Sequence, residues 1–386
     1  MIHNDKEEKV RKIRVLFAIS NFTYGGIQTQ ALTLAKCLQR NGAKVFFLWT
    51  HKTEETFVQE LKENNFRIID GTYLKQMKCN SISNNLKRCY YKVKIVLLLK
   101  FYRINWLLPY QNELSFFFSS IKHLTRIRNT IFHIRNTVIE NTPLETLDRA
   151  LRNKPIIIAN SNHARLKFQK VYGERYDLNI RTIHNGVQIR EVNGDYNWKK
   201  YFDADSFDFI VTVVANFFKE KDFLTIFKAW KRFIGITESK SILLIAGDEG
   251  RRGFKKIYED FVEENQMNAH VRFLGRISEN VELLSIADCN ILSSENEGLP
   301  NVAIETMALK KPLLATNVEG IREVVGDDYP IPLFNVGDYI LLSELLVKVF
   351  NREFNREELE DYSEKRFQYF NTETLVNSYL NLLKTY

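Results

Sequence analysis

The chain has 386 residues, enough for about two domains and for a core that needs no disulfide or metal staples. Its 45% apolar and 26% charged residues describe a globular protein, and seven prolines with sixteen glycines exclude disordered, collagen-like and Pro-rich designs. The net charge of +8 averages two unlike parts: residues 1–200 carry 34 Lys+Arg against 16 Asp+Glu, and residues 201–386 carry 21 against 31.

The N-terminal MIHNDKEEKVRKIRV has no apolar core of signal-peptide length. No apolar run approaches the roughly 20 residues of a membrane span. Cys37, Cys79, Cys89 and Cys289 form no CxxC pair and no zinc-type spacing. The expectation is a cytoplasmic chain without a metal site.

RVLFAIS at 14–20 is a short apolar run that predicts a buried parallel strand. A Gly25-Gly26 turn follows. Then Ile27, Ala31, Leu34, Ala35 and Leu38 recur at helical spacing until Gly42. AKVFFLWT at 43–50 is the next strand, which completes a βαβ opening. Further strands are predicted at 66–70, 106–110, 130–134 and 155–159, with helices between them, and RTIHNGV at 181–187 ends the series. A polar stretch over 191–205 reads as a linker.

A second series begins with FIVTVVA at 209–215. It continues with a helix at 223–233, strand SILLIA at 241–246, a helix near 255–264 and a strand at 271–274. Strand CNILSS at 289–294, helix NVAIETMAL at 301–309 and strands PLLAT at 312–316 and YPIPL at 329–333 complete it. The predicted architecture is α/β: two Rossmann-like, doubly wound domains, at 1–190 and 206–364, facing a central cleft that is the natural ligand site. A C-terminal helical segment, 365–386, is expected to pack back on the first domain.

Four segments carry candidate chemistry. In LSSENEGLPNVAIET, at 292–306, a strand leads through a glycine-containing loop to a helix opened by Pro300 and Asn301. A helix start after a strand offers backbone N–H groups to an anion. Glu297 and Glu305 bracket this start with seven residues between them. A carboxylate beside an anion is costly without hydrogen-bonding or chemical work; the competing reading is a capping acid and a solvated one. In VANFFKEKDF, at 214–223, the strand ends near Asn216 and the loop carries Lys219 and Lys221, lysines that reach a phosphate or stay solvated. The Gly25-Gly26 pair would let a ligand approach the backbone. The HNGV turn at 184–187 is a turn signal.

Together these segments resemble the retaining glycosyltransferases of family 4, which have the GT-B fold. The resemblance covers almost the whole chain. It rests on Gly25-Gly26 with LAKCL, on IIIANSNHARLKF, HNGV, LLIAGDEG and VRFLGR, and on ENEGLPNVAIETMALKKPLLATNVEGIREVV, which carries the E-x7-E signature and a downstream G-x-x-E. The resemblance implies that Lys221 binds a donor diphosphate and that Glu297, the first acid of the signature, contacts the donor sugar or supports the reacting centre. It implies backbone contacts to phosphate at Gly298, Leu299 and Asn301, ribose binding at Glu305 and close approach to the diphosphate at Gly26, with Gly25, Asn216, Gly247 and Pro300 also on the donor-binding side. The VRFLGR strand end, Gly275, Arg276 and Ile277, is implied to lie near the base.

The chain departs from the family pattern in places. Asn216 stands where the family often has Arg, and Lys311 where many members have Gly. Arg135 holds a place where many have His, with His133 two residues earlier on the same strand face; both are candidate catalytic or acceptor contacts, and a hydrogen-bonded core histidine is the competing reading for His133.

The implied activity is hexosyl transfer with retention from a nucleotide sugar, a UDP-sugar first, to a glycan or lipid-linked acceptor in cell-surface polysaccharide or glycoconjugate synthesis. No cofactor or metal is implied. The alternatives are a nucleotide-sugar epimerase, a disaccharide synthase or a non-catalytic sugar-nucleotide-binding subunit. Residues 71–112 hold Lys75, Lys78, Lys87, Arg88, Lys92, Lys94, Lys100 and Arg103, interleaved with aromatics and without one acid. That composition suits the inner face of an anionic membrane. A nucleic-acid partner would show a similar patch, but no nucleic-acid motif accompanies it; a core helix with a solvated basic face is the remaining reading.

Overall fold

The structure, a computed structural model, describes residues 13–20, 26–51, 55–74, 82–125, 127, 129–134, 144–189, 203, 206–249, 253–277 and 280–385. The chain divides into two compact units, Met1–Gly186 with Asn371–Tyr386, and Val187–Phe370.

The first unit contains β1 (Arg14–Ile19), α1 (Gly26–Arg40), β2 (Lys44–Trp49), α2 (Glu55–Glu63), β3 (Arg67–Asp70), α3 (Ile82–Phe101), β4 (Trp106–Pro109), α4 (Asn112–Ile121), β5 (Asn129–Ile134), α5 (Leu144–Leu151), β6 (Ile156–Ala159), α6 (Asn162–Tyr176) and β7 (Ile180–Thr182). Its seven strands run in the order β3-β2-β1-β4-β5-β6-β7 and all pair in parallel. Successive residues of β1 serve opposite faces of the sheet. Val15, Phe17 and Ile19 join a core with α1 and α2, while Leu16 and Ala18 join one with α3 and α4. Burial on both faces explains why the strand reads as a continuous apolar run rather than an alternating one.

The second unit contains β8 (Phe209–Val214), α7 (Phe223–Thr237), β9 (Ser241–Ala246), α8 (Phe254–Glu264), β10 (Val271–Gly275), α9 (Asn280–Ile286), β11 (Cys289–Leu292), α10 (Asn301–Ala308), β12 (Leu313–Ala315), α11 (Glu319–Val325), α12 (Tyr339–Phe350) and α13 (Arg356–Phe367). Its parallel sheet has the order β10-β9-β8-β11-β12. Phe209, Val211 and Val213 face a large core shared with α7, α10 and α12, and Ile210 faces a smaller one with Ile242, Leu244 and Leu283.

The last helix, α14 (Thr372–Thr385), belongs to the first unit: Leu375, Val376, Tyr379, Leu380, Leu382 and Leu383 complete the core beside α1. The chain changes unit at 186–187 and 370–371. Both positions lie a few residues from the expected boundaries, because Val187 and Phe370 are buried in the second core and joined by Val187 N–H to Phe370 O at 2.8 Å. The expected linker lies mostly outside the described residues.

Two local expectations are corrected. YPIPL is not a strand: only Phe334, just beyond it, makes an isolated bridge, to Thr316. Asn301 does not cap α10. It is the first helical residue, and Pro300 stands at the cap with φ −74° and ψ 120°.

Candidate active site

In the order β10-β9-β8-β11-β12 the chain leaves β8 toward one edge and later returns to place β11 on its other side. Ligands of open α/β sheets bind outside the C-terminal ends of strands at such a reversal. The loops after β8 and β11 meet there. Lys221 and Ser294 form an antiparallel bridge, Glu295 N–H donates to Glu220 O at 2.9 Å, and Asp222 N–H donates to Ser293 O at 3.2 Å.

This junction brings Lys221 and Glu297 together, 76 positions apart in the chain: Lys221 Nζ donates to Glu297 Oε1. Ser294 Oγ donates to the same oxygen at 2.8 Å. Both partners are largely shielded, with side-chain exposures of 22% for Lys221 and 13% for Glu297, so the pairing is screened less than a surface ion pair. It also answers the cost of a carboxylate beside an anion site, since the charge of Glu297 is already met by an ammonium and a hydroxyl.

Residues that sequence reasoning missed hold this pair. Ser294 is fully buried and exchanges two bonds with Thr316: its N–H donates to Thr316 Oγ1 at 3.1 Å, and that hydroxyl donates back to Ser294 O at 3.0 Å. Asp222, next to Lys221, accepts from Thr225 N–H at 3.4 Å as the cap of α7, from Ser293 Oγ at 3.1 Å and from Gly337 N–H at 3.2 Å. One carboxylate thus fixes the start of α7, the end of β11 and the turn before α12. The S/T/D/N preference at helix caps was a readable sign for Asp222. The partners of Ser294 and Asp222 across the fold left no local sign.

Gly320, the glycine of the G-x-x-E segment, packs against the backbone of the Glu297 loop. An added Cβ would fall onto the Glu297 carbonyl, 2.7 Å from its carbon and 2.8 Å from Gly298 O. Glycine is required there for close approach, not for its φ. Gly298 is half-buried, and Leu299 and Pro300 are buried. Pro300 makes no side-chain cap, and no acid lies in the first turn of α10. The helix dipole is therefore presented to this loop without an acidic side chain of the first turn to offset it.

Glu305 follows Asn301 by four residues, on the same face of α10. The residue as a whole is half-buried, yet its Oε2 is closed off from solvent and makes no hydrogen bond. Burial raises its carboxyl from the ordinary 4.5 to about 7.

The other expected donor-side residues of this unit lie at the ends of β8, β9 and β10. Asn216 is exposed, and its Oδ1 accepts from Asp248 N–H at 2.9 Å, so it ties the β8 loop to the loop after β9. Gly247 lies against that loop: a Cβ would overlap Ala215 O and come within 3.2 Å of Asn216 Cα, and its N–H donates to Gly275 O at 2.9 Å. Gly275 adopts φ +69° at the end of β10, after a register shift, with Arg276 exposed and Ile277 half-buried beyond it.

In the first unit, Gly25 and Arg135 lie outside the described residues. Gly26 is the first residue of α1 rather than part of a free turn. His133 is 2% exposed, with Nδ1 2.7 Å from Pro109 O and Nε2 2.8 Å from Tyr379 Oη. This corrects its candidacy as a ligand contact: both ring nitrogens are engaged in tethering the C-terminal helix to the ends of β4 and β5. The HNGV turn is likewise held from within. Gln30, buried in α1, donates to Gly186 O at 2.9 Å and accepts from Gly186 N–H at 3.1 Å.

Residues 197–366 match a protein-family model described as glycosyl transferases group 1. The N-acetyl-alpha-D-glucosaminyl L-malate synthase of Bacillus anthracis is 29% identical over 203 residues, 52% of each chain. The capsular polysaccharide biosynthesis glycosyltransferase CapM of Staphylococcus aureus is 24% identical over 186 residues, 48% of each chain. The chain thus spans about half the length of these curated relatives. Among solved structures, a glycosyltransferase from Rickettsia africae ESF-5 superposes with a TM-score of 0.77 at 17% identity, over 97% of this chain and 98% of that one. HepE from Anabaena, solved in complex with UDP and glucose, gives 0.78 at 15% identity over 97% and 100%. The chain has the fold of these GT-B glycosyltransferases, with two parallel-sheet α/β units.

Proposed function

We propose that the chain is a retaining glycosyltransferase that moves a sugar from a nucleotide-sugar donor, a UDP-sugar, to a glycan or lipid-linked acceptor in cell-surface polysaccharide or glycoconjugate synthesis. The observation that carries the reading is the junction at the ends of β8 and β11: a shielded Lys221–Glu297 pair, an α10 start without an acid in its first turn, and the buried, unbonded Glu305 Oε2 one turn further on. The group 1 match over this unit and the UDP complex of a neighbour with the same fold support it.

In this reading the donor diphosphate lies at the start of α10. The bond between the anomeric carbon and the diphosphate oxygen breaks, and a bond to the acceptor oxygen forms on the same face. The acceptor proton departs with the diphosphate or to solvent. Lys221 and the N–H groups of the 298–301 segment meet the charge that grows on the leaving diphosphate, where preorganised donors act most strongly. Glu297 holds Lys221 in place, braced by Ser294, and faces the donor sugar. Glu305 accepts from the ribose hydroxyls. The first unit supplies the acceptor side, with the acceptor presented at an anionic membrane surface.

A screen of nucleotide sugars for hydrolysis, transfer and thermal stabilisation tests the reading and names the donor. Lys221→Ala and Glu297→Ala are each expected to lower turnover about a hundredfold or more with the fold retained. Near-normal transfer by both variants would remove the site assignment.

A further inference from the structure

The outward face of α3 is unlike that of the other described helices. A surface helix ordinarily sets charged residues opposite its buried stripe. Here Ile95, Val96 and Leu99 are buried in a core with Leu16, Leu48 and Leu107. On the opposite face, at spacings of three, four and four, stand Tyr90 (63% exposed), Val93 (51%), Leu97 (60%) and Phe101 (77%). At about 1.5 Å per residue they form a stripe roughly 16 Å long. Exposed Lys94 borders it on one side and exposed Lys100 on the other, with Arg103 just past the helix end. Other exposed apolar residues are scattered, such as Leu166 on α6 and Ile257 on α8; a continuous apolar stripe marks an interaction surface.

We propose that this face of α3 lies in the plane of an anionic lipid surface, with Tyr90, Val93, Leu97 and Phe101 entering the headgroup boundary and Lys94, Lys100 and Arg103 meeting lipid phosphates. It refines the acceptor-side reading above and rests on it for its purpose, though its test does not. Charge selects the partner: 71–112 holds eight basic residues and no acid, so the segment that carries the stripe attracts anions. Packing selects the depth. The reverse face of α3 is locked into the first unit's core, and no described helix is long and apolar enough to cross a membrane. The helix therefore lies on the surface, apolar side chains down, the arrangement that combines apolar burial with attraction to anionic lipid.

The test is sedimentation of the full chain with vesicles of phosphatidylcholine and phosphatidylglycerol in equal parts, and with phosphatidylcholine alone. The expected result is binding to the anionic vesicles that weakens as salt is raised. Leu97→Glu/Phe101→Glu should bind about tenfold or more weakly, and Lys94→Gln/Lys100→Gln about tenfold more weakly at low salt, while Leu166→Glu binds as the parent does. All of these positions are exposed, so the folds should hold. Thermal stabilisation by nucleotide sugars, measured on the same variants, should be unchanged; its loss would bear on the donor-site reading and not on this one. Three results would each overturn the proposal: no binding to anionic vesicles at low salt, equal binding by Leu97→Glu/Phe101→Glu, or a solution dimer abolished by that variant with no vesicle binding, which would assign the face to a second copy of the chain.

Discussion

Replacing Glu305 by Gln removes one ionisable group from a place where ionisation is costly, and the cost has a definite dependence on pH. Burial raises the carboxyl from 4.5 to about 7 in the folded chain. Below 4.5 the group is protonated in both states and contributes no pH dependence. Between the two values the unfolded chain gives up the proton and the folded chain keeps it, so stability falls as pH rises. Above about 7 both states are ionised and the penalty levels off at roughly 3 kcal/mol, from 1.36 kcal/mol per pKa unit. Between about pH 5 and about pH 8 the penalty grows by roughly 2.5 kcal/mol. Glu305→Gln carries no such term, and any packing offset it introduces is the same at every pH. Urea denaturation of the full-length parent and variant at both pH values should therefore show the variant gaining by roughly 2.5 kcal/mol at the higher one. In the proposed donor site the same proton should also govern ligand binding, because the ribose hydroxyls would donate to the ionised form. Donor affinity of the parent should fall as pH drops below about 7, and that of the variant should be weak and flat. A stability difference that does not change with pH would refute the claim that Glu305 is buried as a carboxyl with a raised pKa.

Four further outcomes are expected. Gly320→Ala should displace the Glu297 loop, cost about 1–3 kcal/mol by overpacking and lower turnover. Gly235→Ala, in α7 where nothing lies within 4 Å of an added Cβ, should stabilise by roughly 0.5–1 kcal/mol and leave turnover alone; paired thermal melts and transfer assays separate the two. Asp222→Ala should cost about 1–3 kcal/mol, since it loses the α7 cap and the bonds to Ser293 and Gly337 together, and kcat should drop more than KM rises; Asp222→Asn should recover much of the stability. Tyr379→Phe, which takes the partner from buried His133, should cost about 1–3 kcal/mol in denaturation and speed hydrogen exchange in α14, with kcat per folded molecule close to that of the parent.

The central strands were legible because they are buried on both faces, which writes a continuous apolar run into the chain: SILLIA is bounded at 241 and 246 in both the sequence and the structure. YPIPL has a similar composition and is not a strand, because the backbone beyond β12 makes a single bridge at Phe334 and pairs no further. Glu297, Glu305 and Lys221 were visible as residue types at a spacing. What holds them was not. The Ser294–Thr316 exchange spans 22 positions and the Asp222–Gly337 bond 115, and serine, threonine and aspartate carry no local mark of such partners. His133 shows the opposite failure. Its strand-end position suggested a ligand contact, but the partner that occupies Nε2 comes from a helix 246 positions away.

The division of charge along the chain takes its meaning from these local arrangements. The second unit is net acidic around the proposed anion site, which would be a contradiction if net charge determined binding. At this site it does not. Lys221 is committed to Glu297 at short range, so the pair presents little net charge to a diphosphate from afar. The remaining attraction comes from backbone N–H groups at the start of α10, which act only within about a turn of the helix end. A site of this kind recognises its ligand by contact geometry. The first unit is the reverse case. Its basic residues border an exposed apolar stripe on α3 and lack acidic neighbours over 71–112, so their field reaches outward until salt screens it at about 10 Å. In the proposed reading, long-range charge brings a surface to this unit, whereas short-range dipoles hold a small anion in the other. That is why the same chain can be basic where it would dock and acidic where it would bind phosphate.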